Sequence, residues 1–160
     1  MIKSIIVAVS RNGAIGRDND IPWHYPADMK HFRDTTRGYP IIAGRKTYES
    51  FQVRPLPRRL NIVLSRDANY RAEGGALVYS NLHKALARAE QEGKDRVFIL
   101  GGAEIYRQAL PLTDEMVITF VPEEIAGDAF FPAWDRSEWN EVEKRQEGEL
   151  VFATYRRRSA

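Results

Sequence analysis

The sequence predicts an α/β fold, a single domain over residues 1–160, with a largely parallel sheet and an antiparallel C-terminal edge. Three observations predict it. Short β-branched runs alternate with helix-like segments along most of the chain, the pattern left by right-handed crossovers between parallel strands. Two strands run through glycine directly into a helix, at Ala43-Gly44-Arg45 and at Leu100-Gly101-Gly102-Ala103. From Met116 onward the chain reads as β-structure alone, and successive strands without a crossover pair antiparallel.

The dense run Ile2 to Val9, bounded by Asn12-Gly13, suits a strand covered on both faces. Arg11 to Tyr25, with Gly13, Gly16, Asp18, Asn19, Asp20 and Pro22, reads as a long irregular loop, a kind of segment that is often functional. Pro26 is placed to open a helix that continues to about Thr36. Pro40 to Ala43 follows as a strand, Gly44 as a turn, and Arg45 to Phe51 as a short helix. Leu60 to Leu64 and Ala76 to Tyr79 are further strands. Asn81 caps a helix in which Leu82, Ala85, Leu86 and Ala89 recur at spacings of three and four, and Gly93 stops it. Val97 to Leu100 is a strand and Ala103 to Leu110 a helix. Met116 to Val121, Trp139 to Arg145 and Leu150 to Arg157 complete the β-structure.

Composition narrows the function. At 160 residues a folded chain buries roughly two-thirds of the surface it exposes when unfolded, enough for a substantial core. Lys and Arg number 24 against 22 Asp and Glu, a net charge of +2, which argues against nucleic acid as a partner. The chain has no cysteine, excluding disulfide scaffolds, thiol catalysis and thiolate metal sites. The apolar run Ile5 to Val9 is too short for a signal peptide and is followed by Arg11, and no stretch is long enough for a membrane helix. The expectation is a soluble, cytoplasmic protein. No heptad pattern suggests oligomerisation, so a monomer is expected.

The two strand–glycine–helix junctions, Ile41 to Thr47 and Val97 to Glu104, carry the first chemical signal. Helix N-termini offer free N–H groups and a positive dipole end to phosphate, and in open α/β sheets such junctions lie where ligands bind. Each alone is ordinary turn chemistry. Together, with Arg45, Lys46 and Thr47 in one of them, they point to a dinucleotide. Asp28 sits in the first helical turn, where a carboxylate suits the dipole. It also borders a stripe of Met29, Phe32 and Thr36, and a carboxylate at the edge of an apolar pocket marks a binding site. Arg54-Pro55-Leu56-Pro57-Arg58-Arg59 reads either as a solvated loop or as a clamp for a carboxylate. His24 reads as a loop residue, and His31 and His83 as helix-surface residues; no metal site is expected. Trp134 and Trp139 read as packing.

Several segments, taken in order, resemble the dihydrofolate reductase family: Ile15-Gly16, Pro22-Trp23, Pro26-Ala27-Asp28-Met29 with Phe32, Gly44 through Ser50, Arg54-Pro55-Leu56-Pro57, Asn61 through Ser65, Gly101 through Tyr106, and Gly127-Asp128 with Phe131-Pro132. The resemblance runs from about residue 2 to the C-terminus. It implies a twisted, mostly parallel eight-stranded sheet flanked by four helices, and NADPH-dependent reduction of 7,8-dihydrofolate to tetrahydrofolate. By that resemblance Asp28 would hold the pterin's N3 and 2-amino edge, an arrangement in which one carboxylate accepts from two donors. Thr119 would share its hydrogen-bond network, and Trp23 would help fix an ordered water. Ile6, Val7, Met29, Phe32 and Leu100 would wall the pterin and nicotinamide. Phe51 and Leu56 would pack on the aminobenzoyl ring, and Arg59 would pair with the glutamate α-carboxylate.

On the cofactor side the resemblance places Ala8, Ile15 and Gly16 near the nicotinamide, with Tyr106 beside it. Gly44, Arg45, Lys46 and Thr47, together with Gly101, Gly102 and Ala103, would hold the pyrophosphate region. Ser65 and Arg66, with Arg45, would meet a 2′-phosphate, a dianion that calls for cationic, multi-donor partners. Asp128 is a candidate partner for the amides of the Arg11 to Tyr25 loop, or simply a turn residue. Two departures from the family pattern stand out: one extra residue within Phe51-Gln52-Val53-Arg54, and Arg58 where glycine is common. A pterin or riboflavin-pathway reductase on the same fold, or a non-catalytic nucleotide-binding module, would share the glycine junctions without needing Asp28, Phe32 and Arg59 together.

Overall fold

The computed structural model describes residues 1–16 and 23–159. Residues 17–22, which include Asp18, Asn19, Asp20 and Pro22 of the expected loop, lie outside the described residues. The central sheet has eight strands: β1 (Ile2–Val9), β3 (Ile41–Gly44), β4 (Asn61–Leu64), β5 (Leu77–Tyr79), β6 (Arg96–Ile99), β7 (Glu115–Phe120), β9 (Trp139–Glu147) and β10 (Leu150–Arg157). Their order across the sheet is β5-β4-β3-β6-β1-β7-β10-β9. The pairs from β5 through to β7 are parallel, and β10 runs antiparallel to both β7 and β9. Four α-helices accompany the sheet among the described residues: α1 (Pro26–Thr36), α2 (Arg45–Ser50), α3 (Leu82–Glu90) and α4 (Ala103–Ala109). The α/β class, the mostly parallel eight-stranded sheet, the four helices and the antiparallel edge all match the expectation.

The continuous apolar run of β1 has a direct cause. β1 lies between β6 and β7, so both of its faces are covered. Ile5, Val7 and Val9 join the cluster built with α3 and α4, while Ile6 joins the opposite cluster with Ile41, Phe98 and Val117. Asn81 Oδ1 accepts from the Lys84 amide at 2.9 Å and caps α3, whose Leu82, Ala85, Leu86 and Ala89 are buried.

Two sequence expectations change. The Arg11 to Tyr25 segment is not wholly irregular: β2 (Ala14–Gly16) pairs antiparallel with a two-residue strand, β8 (Ala129–Phe130). Strands of two and three residues are too short to leave a periodic signature. His31 is not a surface residue. It stacks on Phe152 with ring centroids 4.4 Å apart, and burial and Arg145 lower its pKa to about 4. α1 buries more than one stripe: Phe32 packs into the cluster with Ile6, while His31, one residue before it and about 100° around the helix, packs toward Phe152 on β10. Arg58 adopts φ +60°, the left-handed conformation that glycine takes freely and other residues rarely do.

The segment before Pro55 that carries the extra residue bulges at the surface, with Val53 exposed. Arg54 closes the bulge, donating from Nη1 to the carbonyls of Glu49 (2.5 Å) and Phe51 (2.8 Å), and from Nε and Nη2 to Glu73 (2.9 and 2.6 Å). Its guanidinium is occupied in holding the loop.

Arg58→Gly should relieve the left-handed strain by more than the backbone entropy it adds, a net gain of about 0.5–1 kcal/mol. Thermal unfolding should show a Tm higher by about 1–3 °C; an unchanged or lower Tm would mean that the Arg58 side chain contributes what the strain costs. His31 supplies a pH test. Its folded pKa lies below its unfolded value, so the unfolded chain binds more protons between pH about 6.5 and about 4, and stability is lost as pH falls through that window. His31→Phe should therefore lose less stability than the wild-type protein on acidification from pH 7 to 4.5, measured by urea denaturation.

Candidate active site

The C-terminal ends of the parallel strands deliver the side chains that matter. Ala8 lies near the end of β1 in register with Thr119 on β7. Gly44 ends β3, Ser65 follows β4 and Leu100 follows β6. In an open α/β sheet this edge is where ligands bind, because helix N-termini and free strand ends converge there.

Asp28 stands in the first turn of α1, and the Thr119 hydroxyl donates to its Oδ1 at 2.7 Å. Burial raises its pKa, and the Thr119 hydrogen bond partly offsets this. On one side of Asp28 lies an apolar wall. Phe32, Phe51 and Leu56 pack, partly buried, against a cluster containing Ile6 and Leu100. Val7 does not share that wall; its side chain points through the other face of the sheet, to the cluster with Ile15 and Tyr106. Met29 is more than half exposed, on the open side of the helix. Trp23 packs against Val121, Leu150 and Phe152, at the entry to α1.

Arg59 is braced from both sides: Nε donates to the Pro57 carbonyl at 2.9 Å and Nη1 to Thr36 Oγ1 at 2.9 Å. Burial, with Arg37 and Arg33 nearby, lowers its pKa, but an arginine stays charged at neutral pH. Its loop is held by Asn61. The buried Asn61 side chain accepts from the Leu56 amide at 2.8 Å and donates to the carbonyls of Leu56 (2.9 Å) and Arg59 (2.8 Å).

The two glycine junctions meet. The Gly44 amide donates to the Gly101 carbonyl at 2.8 Å, and the N-caps of α2 and α4, Gly44 and Gly102, carry no side-chain cap. Two sets of first-turn amides therefore lie side by side without side-chain acceptors. Gly101 is required there: at φ +99°, a Cβ on it would come within 2.7 Å of the Tyr106 ring. Tyr106 is buried, its hydroxyl donates to the Ile6 carbonyl at 2.8 Å, and burial raises its pKa. Thr47 Oγ1 lies 3.4 Å from the position a Gly102 Cβ would take. Arg45 reaches the turn after β4, with Asp67 at 3.8 Å, Glu49 at 3.0 Å and the Tyr70 ring centroid at 4.3 Å. Ser65 and Arg66 form that same turn; Ser65 Oγ accepts from the Asp67 amide at 3.2 Å. Ile15 and Gly16 lie in β2, and the Asp128 amide donates to the Gly16 carbonyl at 3.1 Å. Gly127 makes this approach possible, since a Cβ there would come within 2.7 Å of that carbonyl oxygen.

Comparison with known proteins accounts for this arrangement. The family model described as dihydrofolate reductase matches residues 1–157. The chain belongs to the dihydrofolate reductase family. It is 48% identical to the dihydrofolate reductase of Neisseria gonorrhoeae over 143 residues, covering 89% of this chain and 86% of that one. It is 40% identical to the Haemophilus influenzae enzyme over 157 residues, covering 98% and 89%. The structure is similar to a dihydrofolate reductase from Enterococcus faecalis complexed with NADP(H) and RAB-propyl, with TM-score 0.89, 32% identity, and coverage of 99% of this chain and 97% of that one. NADPH is the cofactor of the family. The paired uncapped helix N-termini and the arginines near the Ser65 turn fit a phosphorylated dinucleotide by the chemistry of their donors.

Sequence reasoning passed over Asn61 and Thr36 as supports of Arg59. A signal for Asn61 existed: a polar amide opening a four-residue strand of otherwise apolar side chains must find partners when buried. Thr36 left none, because its hydroxyl also donates to the Phe32 carbonyl at 2.9 Å, as helix threonines commonly do.

Asp28 carries a linked prediction for stability. Its folded pKa is raised, so the folded chain binds more protons than the unfolded one in the window between the two values. Stability is greatest below the unfolded pKa and is lost as pH rises through the folded pKa. Once pH has risen through the folded value, the ionised carboxylate is a net cost to folding. Asp28→Asn should raise Tm at pH 7, and the gain should fade as pH approaches 4; a lower Tm at pH 7 would contradict this.

Proposed function

We propose that this chain reduces 7,8-dihydrofolate to 5,6,7,8-tetrahydrofolate with NADPH, and that Asp28 grips the substrate. The observation that carries the reading is the half-buried Asp28 carboxylate, hydrogen-bonded by Thr119 beside the apolar wall of Phe32, Phe51 and Leu56. An aminopyrimidine edge presents two adjacent donors, and an ionised carboxylate with one oxygen partly engaged can accept both. Ile6, Leu100 and Phe32 flank the flat ring, with Met29 folding in from its open side. Arg59, pre-set by Thr36, Pro57 and Asn61, takes the α-carboxylate of the glutamate tail. Bound NADPH supplies the hydride, which is delivered to pterin C6.

The chain's own work is orientation, exclusion of water and supply of a proton. The first-turn amides after Gly44 and Gly102, with Lys46, Thr47 and Ala103, hold the pyrophosphate. Arg45, Ser65 and Arg66 hold the 2′-phosphate. Ala8, Ile15, Gly16 and the Tyr106 region border the nicotinamide. Asp28 holds an edge of the pterin remote from N5, so it polarises the ring, and a water ordered near Trp23 protonates N5. The Tyr106 hydroxyl, kept protonated by burial, holds the Ile6 carbonyl beside the reacting rings. Asp128 and Gly127, through β2 and β8, hold the first part of the Arg11 to Tyr25 loop. We place the protein in the cytoplasm as a monomer. The reaction draws on reduced nicotinamide, and the outermost strand β9 carries Glu141, Glu143, Lys144, Arg145 and Glu147, charges that oppose edge-to-edge pairing.

The test is loss of nicotinamide absorbance with dihydrofolate, with NADPH and NADH run side by side. Turnover should favour NADPH, and Asp28→Asn should lower it at neutral pH by about two orders of magnitude or more, with partial recovery at acid pH where the substrate is pre-protonated. Wild-type-like turnover in Asp28→Asn would remove Asp28 from the mechanism. NADPH binding without turnover would favour the nucleotide-binding module instead.

A further inference from the structure

Two cross-links join the first turn of α1 to β7 and its continuation, and the site reading uses one of them. The first is the Thr119–Asp28 hydrogen bond. The second lies one turn back. Tyr25 is the N-cap of α1, and its carbonyl accepts from the amides of Asp28 (3.0 Å) and Met29 (3.1 Å). It packs against the cluster of Val121, the residue after β7, with Leu150 and Phe152, and its phenol donates to the carboxylate of Glu123, two residues beyond Val121. The Glu123 carbonyl in turn accepts from the Arg11 amide at 2.9 Å, just beyond the end of β1. One residue therefore holds the start of the Asp28 helix through its side chain and the end of the central strand through its backbone.

We propose that Tyr25 and Glu123 are positioning residues for Asp28: their hydrogen bond sets the distance between the first turn of α1 and β7, and so sets the Thr119–Asp28 bond. The inference rests on the reading of Asp28 as the substrate-gripping carboxylate, and it needs no contact between Tyr25 and substrate. The phenol is a durable donor. Its pKa is pushed up to about 12 by the Glu123 hydrogen bond first, then by burial and by the charges of Glu123 and of Glu149 in the β9–β10 turn. It stays protonated across the range in which the enzyme would work. The hydrogen bond is charge-assisted and solvent-exposed, and it spans two elements whose relative placement decides how well a third residue is solvated. Burial raises the Asp28 pKa and the Thr119 bond lowers it. Loosening the brace should weaken the lowering influence and leave burial in place.

The experiment is a titration of the Asp28 side-chain carboxyl by 13C NMR on the full-length chain, with steady-state kinetics alongside. Tyr25→Phe and Glu123→Ala should each move the Asp28 midpoint upward by about half a pH unit, and Glu123→Gln, which keeps a carbonyl acceptor, should recover most of the shift. The same variants should raise KM for dihydrofolate about threefold with KM for NADPH unchanged. Thr119→Val should raise the midpoint too, and Tyr25→Phe should add nothing in that background, because the brace acts through Thr119. An Asp28 midpoint unmoved by Tyr25→Phe, or shifts that add fully in Tyr25→Phe/Thr119→Val, would overturn the proposal. The carboxyl titration judges the brace whether or not Asp28→Asn lowers turnover, so a failure of the brace is distinguishable from a failure of the site reading.

Discussion

The site depends on a carboxylate that the fold desolvates without neutralising. A second buried carboxylate shows how unusual that is. Glu115, at the start of β7, accepts from Ser4 Oγ at 3.0 Å and faces the guanidinium groups of Arg96 at 3.0 Å and Arg156 at 3.5 Å. Its charge is matched within the protein, the usual condition for burying a carboxylate. Asp28, near the opposite end of the same layer, has one hydroxyl and burial as the influences on its ionisation. Such a group costs the free protein stability once ionised, and on the proposed reading it would gain its partners from a donor-bearing ligand.

Most of the architecture could be read before the structure was known, because it rests on signals that local chemistry makes strong. The Asn81 cap, the three-and-four spacing in α3, and the run Ile2 to Val9 each report one physical fact: a donor satisfied, a stripe buried, two faces covered. The elements that escaped are those whose existence depends on distant chain. β2 and β8 are too short to carry a period, and they exist because Gly127 lets the backbone come close to Gly16. His31 escaped for a related reason. The sequence shows that α1 is amphipathic on the Phe32 side, but that Phe152 lies behind its other side is a fact about β10.

The site divides along the same line. Asp28 and the two glycine junctions were legible because each combines a residue type with a local conformation. Their convergence was not. Nothing in the sequence sets the Gly44 amide 2.8 Å from the Gly101 carbonyl, or says which of Ile6 and Val7, on opposite faces by strand alternation, lies in the cluster with Phe32. The basic stretch Arg54 to Arg59 shows the limit most clearly. The motif itself does not say which of Arg54, Arg58 and Arg59 could clamp a carboxylate, the resemblance points to Arg59, and tertiary contacts separate it from Arg54: Arg54 is consumed by Glu73 and two carbonyls, whereas Arg59 is held by groups that leave part of its guanidinium free of acidic partners among the described residues.

That separation also explains why the loop can carry local strain. Arg58 sits at positive φ between Pro57 and Arg59, and its carbonyl accepts from the Gly38 amide at 3.0 Å, just after α1. The strained residue is the hinge that turns Arg59 back toward Thr36, on the same helix that carries Asp28 and Phe32. Asn61 fixes the loop from the strand side and Gly38 from the helix side, so the conformation is over-determined and the strain persists. Arg59 is thus tied through Thr36 to α1, the helix that also carries Asp28. On the reading proposed above, a substrate with a donor edge at one end and a carboxylate at the other would meet two contacts that the protein already holds in place, with little conformational freedom left to lose on binding.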